Sequence, residues 1–108
     1  MGGAGTIDGV VREFGDTIRS LLGQRLQEMW LFGSRARGDF HSDSDYDVLI
    51  VADGQKAELR ELVAATENEI MRRSGELFAS VIYTTEEWRW ARSAPLGINV
   101  RREGRRIA

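Results

Sequence analysis

Apolar residues along the chain recur at two different periods. Ile7, Val10, Val11, Phe14, Ile18, Leu21 and Leu22 fall at helical spacing, so residues 8–22 read as an amphipathic helix that Gly23 ends. Leu26 to Phe32 reads as a first strand, in which Trp30 is a core residue rather than a platform for stacking a base. Asp45 to Val51 reads as a second strand, buried on both faces in its β-branched second half. Gln55 to Arg73 is the longest helix, with Leu59, Leu62, Val63, Thr66 and Ile70 on its buried face and Ser74-Gly75 as its stop. Leu77 to Tyr83 forms a third strand, and Thr84-Thr85-Glu86-Glu87 opens a helix through a capping box. Pro95 interrupts that helix; Leu96, Ile98 and Val100 suggest a further helical segment before Gly104 and a short strand at residues 105–107. The expected fold is α/β (α+β), a small mixed sheet flanked by helices, in one domain over residues 1–108.

Composition narrows the function classes. With 42% hydrophobic residues, 30% charged and one proline in 108 residues, the chain is an ordinary globular protein and not a disordered one. No apolar run approaches the roughly 18 residues a membrane span needs, and the absence of cysteine excludes disulfides and thiolate chemistry, which fits a cytoplasmic location. The formal charge of −2 hides an asymmetry: residues 89–108 carry six arginines against Glu103, or +5, which leaves −7 on residues 1–88. That basic segment is read first as a solvated face, with an acidic partner, nucleic acid or a triphosphate as the functional options. Met1-Gly2-Gly3-Ala4-Gly5-Thr6 formally fits a myristoylation pattern, but no polybasic patch or second lipid signal accompanies it, and a glycine-rich leader is the simpler account.

Two stretches carry chemistry. Asp45 and Asp47 stand two apart in a strand, so they share a face with Cα atoms about 6.6–7 Å apart. Two like charges so placed call for a cation between them, and oxygen-only ligands suit Mg²⁺ or Mn²⁺. Upstream, Met29-Trp30-Leu31-Phe32 runs into Gly33-Ser34, after which Arg35-Ala36-Arg37 forms one helical turn closed by Gly38. Gly33 lets the backbone approach an anion, and Ser34 adds a hydroxyl donor. Phosphate and metal would then share one site. His41, the one histidine, is read as a solvated loop residue and not as a general base.

Gly33-Ser34, ten intervening residues, and Asp45-Tyr46-Asp47 are similar to the G-S and D-x-D signature of the DNA polymerase beta nucleotidyltransferase superfamily. The surrounding Gly33-Ser34-Arg35-Ala36-Arg37-Gly38 and Ser42-Asp43-Ser44-Asp45 most resemble the minimal nucleotidyltransferases (MNT), which are often paired with HEPN proteins as antitoxin and toxin. The resemblance covers nearly the whole chain. It implies ATP as substrate, Gly33, Ser34, Arg35 and Arg37 at the nucleotide, Asp45 and Asp47 at the metal, and a HEPN-type protein as partner; a second copy of the chain and nucleic acid stay open as further partners.

The resemblance also implies a third carboxylate on the strand 77–83, which has none. Alignment of the following Tyr83-Thr84-Thr85-Glu86-Glu87-Trp88 puts the expected acid at Leu77, and the nearest carboxylate is Glu76, which a bulge at the start of the strand would have to re-aim; Ser80 is a neutral strand residue. Two functions therefore stand side by side. One is metal-dependent transfer of a nucleoside monophosphate, AMP by the resemblance, from a triphosphate to an acceptor carried by a HEPN partner, with Asp45, Asp47 and Glu76 as the catalytic acids. The other is a catalytically impaired antitoxin that neutralises its partner by contact alone. An apolar patch with Trp88 or Trp90 and nearby arginines is the expected interface.

Overall fold

A computed structural model describes residues 8–39 and 44–108 of the chain. The expectations for the leader 1–6 and for His41, and the Ser42-Asp43 part of the motif, lie outside the described residues.

Helix α1 (Gly9–Leu22) and a 3₁₀ turn (Gly23–Arg25) lead into strand β1 (Leu26–Phe32), a single-turn helix α2 (Ser34–Arg37) and strand β2 (Tyr46–Ala52). Helix α3 (Lys56–Ser74), strand β3 (Phe78–Thr84), helices α4 (Thr85–Ala91) and α5 (Pro95–Glu103) and strand β4 (Arg105–Arg106) follow. The strands form one sheet in the order β3-β2-β1-β4. β1 lies antiparallel to both β2 and β4, while β2 and β3 are parallel, with α3 as the crossover that parallel neighbours require. The sheet is therefore mixed, as the sequence indicates.

The sheet separates two apolar layers, and strand alternation decides which residue enters which. Val48, Ile50 and Ala52 of β2 and Phe78 and Ile82 of β3 join Phe14 and Ile18 of α1 and Leu59, Val63 and Ile70 of α3. Leu49 and Val51 point the other way and join Trp88 of α4 and Val100 of α5, with Trp30, Phe32 and Tyr83 around them. Phe14 and Tyr46 stack on the two faces of Phe78, with ring centroids 4.4 and 4.8 Å away. Glu28 of β1 belongs to the second layer: its carboxylate accepts hydrogen bonds from the indole N–H groups of Trp30 (2.9 Å) and Trp88 (3.2 Å). Trp88 is thus a core residue, 5% exposed, whereas Trp90 is 81% exposed. Of the two tryptophans expected at an interface, only Trp90 faces solvent.

The capping box at α4 is formed as read: Thr84 Oγ1 accepts from the Glu87 amide and the Glu87 carboxylate accepts from the Thr84 amide. Its hydrogen bonds to Thr84 and to Lys56 hold the Glu87 carboxyl below its ordinary range. Gly97 lets α5 press against the end of α4, because a Cβ there would come under 3.0 Å from the Ala91 carbonyl oxygen.

Candidate active site

Strand pairing brings the two chemical stretches together. Phe32, the last residue of β1, pairs with Asp47 of β2, so Gly33 follows directly beside the Asp47 side chain. The contact is close: a Cβ on Gly33 would lie under 3.0 Å from Asp47 Oδ2. Gly33 has φ +76°, the left-handed region that glycine occupies without strain, and from it the chain turns into α2. Ser34 begins α2 and is half-buried.

Asp47 is half-buried and Asp45 is exposed, in the coil just before β2. Burial first, and the neighbouring Asp45 charge second, push the Asp47 carboxyl above its ordinary value, while Arg37 pulls it back down. A carboxylate disfavoured by burial and by a like charge is a group that a cation relieves. The donor chemistry fits a hard divalent ion, with two carboxylates supplying part of an oxygen shell and a triphosphate able to supply more. Among the described residues no group of three or more histidine, aspartate or glutamate side chains could hold a metal ion, so the described residues contribute this pair without a third acid.

The place beside Asp47 on β3 is filled by Ala79, its partner in the parallel register. Leu77, where the sequence alignment put the third acid, is 53% exposed and precedes β3; its carbonyl accepts from the Tyr46 amide. Glu76 is not gathered to Asp47. Its Oε1 lies 3.8 Å from Arg35 Nη2, and its charge acts on Tyr46, whose side chain is on the opposite face of β2 from Asp47.

The two arginines of the motif have separate surroundings. Arg35 is packed away, with its side chain 6% exposed. Its Nε and Nη2 donate to the Ser44 carbonyl (3.2 and 2.9 Å), and its guanidinium lies 4.2 Å from the centre of the Tyr46 ring. Tyr46 in turn donates to Asp8 Oδ2 (2.8 Å), and burial together with that carboxylate raises the phenol to about 12. Arg35 therefore positions the start of β2. Arg37 is on the outside, 46% exposed, near Asp39 and 3.9 Å from Glu103 of α5, and close enough to act on Asp47.

Next to Gly33 and Arg37 a cleft of about 240 Å³ runs onto α5, lined by apolar Phe32, Leu96 and Val100 and by polar Asn99 and Glu103. Leu96, Asn99, Val100 and Glu103 form one stripe at helical spacing, which the sequence displays without any sign that it would lie against the Gly33 turn.

Residues 11–89 match the nucleotidyltransferase domain family. The chain belongs to this family. Two curated relatives of this nucleotidyltransferase domain, both from Methanocaldococcus jannaschii and both named “Putative protein adenylyltransferase”, are 44% identical over 43 residues and 45% identical over 42 residues. The matched stretches are 40% and 39% of this chain and 43% and 42% of the relatives, so the chain spans less than half the length of the curated proteins it matches. A toxin-antitoxin structure solved with AMP-PNP superposes with a TM-score of 0.61 at 20% identity, covering 90% of this chain and 72% of that one. The likeness covers a larger share of the chain than the family match over residues 11–89.

Proposed function

We propose that this nucleotidyltransferase domain transfers AMP from ATP to a hydroxyl on a HEPN-type toxin and so serves as its antitoxin. The observation that carries the reading is the Asp47 carboxylate seated on Gly33 with Asp45 beside it, which joins a phosphate turn to an acidic pair. The acceptor oxygen forms a bond to the α-phosphorus of ATP, the bond from that phosphorus to the bridging oxygen of the β-phosphate breaks, pyrophosphate leaves, and the acceptor proton passes to solvent. Asp45 and Asp47 would hold Mg²⁺ or Mn²⁺, which when bound would neutralise charge on the triphosphate. Gly33 and Ser34 would hold the β- and γ-phosphates, and Arg37 would supply positive charge beside Asp47. Arg35 acts indirectly, by holding Ser44 and with it the approach to Asp45.

The names of the relatives and the toxin-antitoxin neighbour support this reading for the reaction and for a toxin partner; the HEPN identity comes from the sequence resemblance. No helix among the described residues is long and apolar enough to cross a membrane. Exposed Trp90 is the anchor offered to the partner.

The contact-only reading keeps one specific support, the occupation of the third place by Ala79 while Glu76 is engaged by Arg35. One experiment separates the two. The chain is mixed with its candidate toxin, Mg²⁺ and ATP labelled at the α-phosphate, and toxin mass and label are followed. Transfer gives labelled toxin with the mass of one AMP or more added, and the label disappears in the Asp45→Asn, Asp47→Asn double variant. A stable complex with unlabelled toxin of unchanged mass overturns transfer in favour of contact.

A further inference from the structure

We propose that Asp8, at the start of α1, is a positioning residue for the acidic pair, and that it acts through the Tyr46 hydroxyl and Arg35. The inference deepens the transfer reading and rests on its assignment of Asp45 and Asp47 to a divalent cation.

The bond that Asp8 forgoes is the first argument. An aspartate at a helix N-cap ordinarily accepts from an amide of the first turn. Asp8 occupies the N-cap of α1, yet its side chain caps nothing. Its Oδ2 accepts instead from the Tyr46 hydroxyl at 2.8 Å, 38 residues along the chain. A residue serving only to start α1 would cap it; this one ties α1 to β2.

What Tyr46 holds is the second argument. Tyr46 stands between the two acids in sequence, with its ring on the α1 face of β2. The ring stacks on Phe78 at 4.8 Å and carries the Arg35 guanidinium 4.2 Å from its centre. Arg35 donates in turn to the Ser44 carbonyl, and Glu76 lies 3.8 Å from its Nη2 as a counter-charge. On the other side of Asp45, the Tyr46 amide donates to the Leu77 carbonyl at 2.8 Å. Asp45 itself is exposed and precedes the strand, so its place is set by these two neighbours rather than by the sheet ladder. Letting the Tyr46 ring turn, and Arg35 with it, moves the Ser44 carbonyl and hence the Asp45 carboxylate relative to Asp47. Groups behind a metal ligand fix its orientation, and a cation held by two carboxylates registers their loss.

The full chain tests this as the parent, Tyr46→Phe, Asp8→Ala, Asp8→Asn and the Tyr46→Phe, Asp8→Ala double variant. Mn²⁺ affinity is read by titration from the paramagnetic resonance signal of the free ion, and amide hydrogen exchange is followed without metal. Tyr46→Phe and Asp8→Ala should each weaken Mn²⁺ binding by roughly tenfold. The double variant should lose no more than either single one, because the same bond is removed in all three. Asp8→Asn keeps an acceptor without the charge and should restore most of the affinity. Without metal, exchange should quicken at the Asp45 and Tyr46 amides in Tyr46→Phe and Asp8→Ala, and stay unchanged at Leu49 and Ile50. Where Asp8→Ala fails to fold, Tyr46→Phe carries the test, since it deletes one oxygen from a ring that keeps its stacking. Parent-like Mn²⁺ affinity in the folded variants, with stability alone lowered, overturns the positioning role and leaves the transfer reading standing. An equal loss in Asp8→Asn and Asp8→Ala overturns it in favour of a through-space effect of the charge. Failure of the parent to bind Mn²⁺ removes the metal assignment of the transfer reading, and this inference falls with it.

Discussion

The Asp47 carboxylate rests on the backbone of Gly33, at a spot where a side-chain carbon would collide with Oδ2. This one contact ties the Gly33 turn to the acidic pair, and it depends on the strand register that sets Phe32 opposite Asp47.

Gly33→Ala should therefore damage site and fold together. The new Cβ meets Asp47 and also forces an L-residue to hold φ +76°. A destabilisation of about 1–3 kcal/mol is expected from the backbone and the displaced carboxylate. Urea titration should show it, and calorimetry should show nucleotide affinity lost by more than the stability change accounts for.

Asp47→Asn should have opposite effects on apo stability and on metal binding. The folded-state carboxyl lies above its ordinary value, so the native state takes up a proton more readily than the unfolded chain does. The ionised side chain then opposes folding above the raised value, and this opposition fades as pH falls through it toward the unfolded value. Without metal, the asparagine variant should melt higher than the parent near neutral pH and no higher in acid. With Mg²⁺ the parent should gain stability and the variant should not, a pattern that thermal melts at several pH values would read directly.

Much of the architecture is legible in the sequence because local signals and burial agree there. β1 occupies the predicted 26–32, and β2 and β3 each start and end one residue later than read, since Asp45 and Leu77 lie in the approaches to their strands. Spacing marks Gly33 at the end of one strand and Asp45 and Asp47 at the start of the next, and the pairing of Phe32 with Asp47 brings them together. What spacing does not carry is register between distant strands: it is the parallel pairing of β2 with β3, set across α3, that puts Ala79 beside Asp47. Nor does a motif say which arginine is buried. Arg35 and Arg37 read alike in sequence, and only the packing of Tyr46 separates them. The α5 stripe is silent for the same reason, because its neighbour across the cleft is more than sixty residues away in the chain.

Ala79→Asp should supply the missing acid. Ala79 is exposed, so the change removes no core packing, and the new carboxylate would stand beside Asp47. Affinity for Mg²⁺ should rise by about tenfold, since affinity grows with ligand charge count. The apo protein should lose stability from a third like charge. If labelled AMP transfer is slow in the parent, this variant should speed it; equal metal affinity in calorimetry would show that position 79 is not directed to the pair.

The two arginines should part ways under substitution. Arg35→Lys loses the paired donation to Ser44 and the guanidinium placed over the Tyr46 ring, and should destabilise the fold by about 1–3 kcal/mol. Arg37→Gln sits at the surface and should change stability by less than about 0.5 kcal/mol. Its effect should fall on triphosphate affinity, a contrast that chemical denaturation and calorimetry on the two variants would reveal.

The sharing of Glu28 by two indoles has a practical consequence. Trp30 and Trp88 emit from one packed, hydrogen-bonded layer beneath α4 and α5, while Trp90 stands in water. Their fluorescence should resolve into a blue component shielded from acrylamide and a red component open to it. The chain thus carries two native optical probes, one for the seating of its last helices on the sheet and the other for anything that settles over its outer surface.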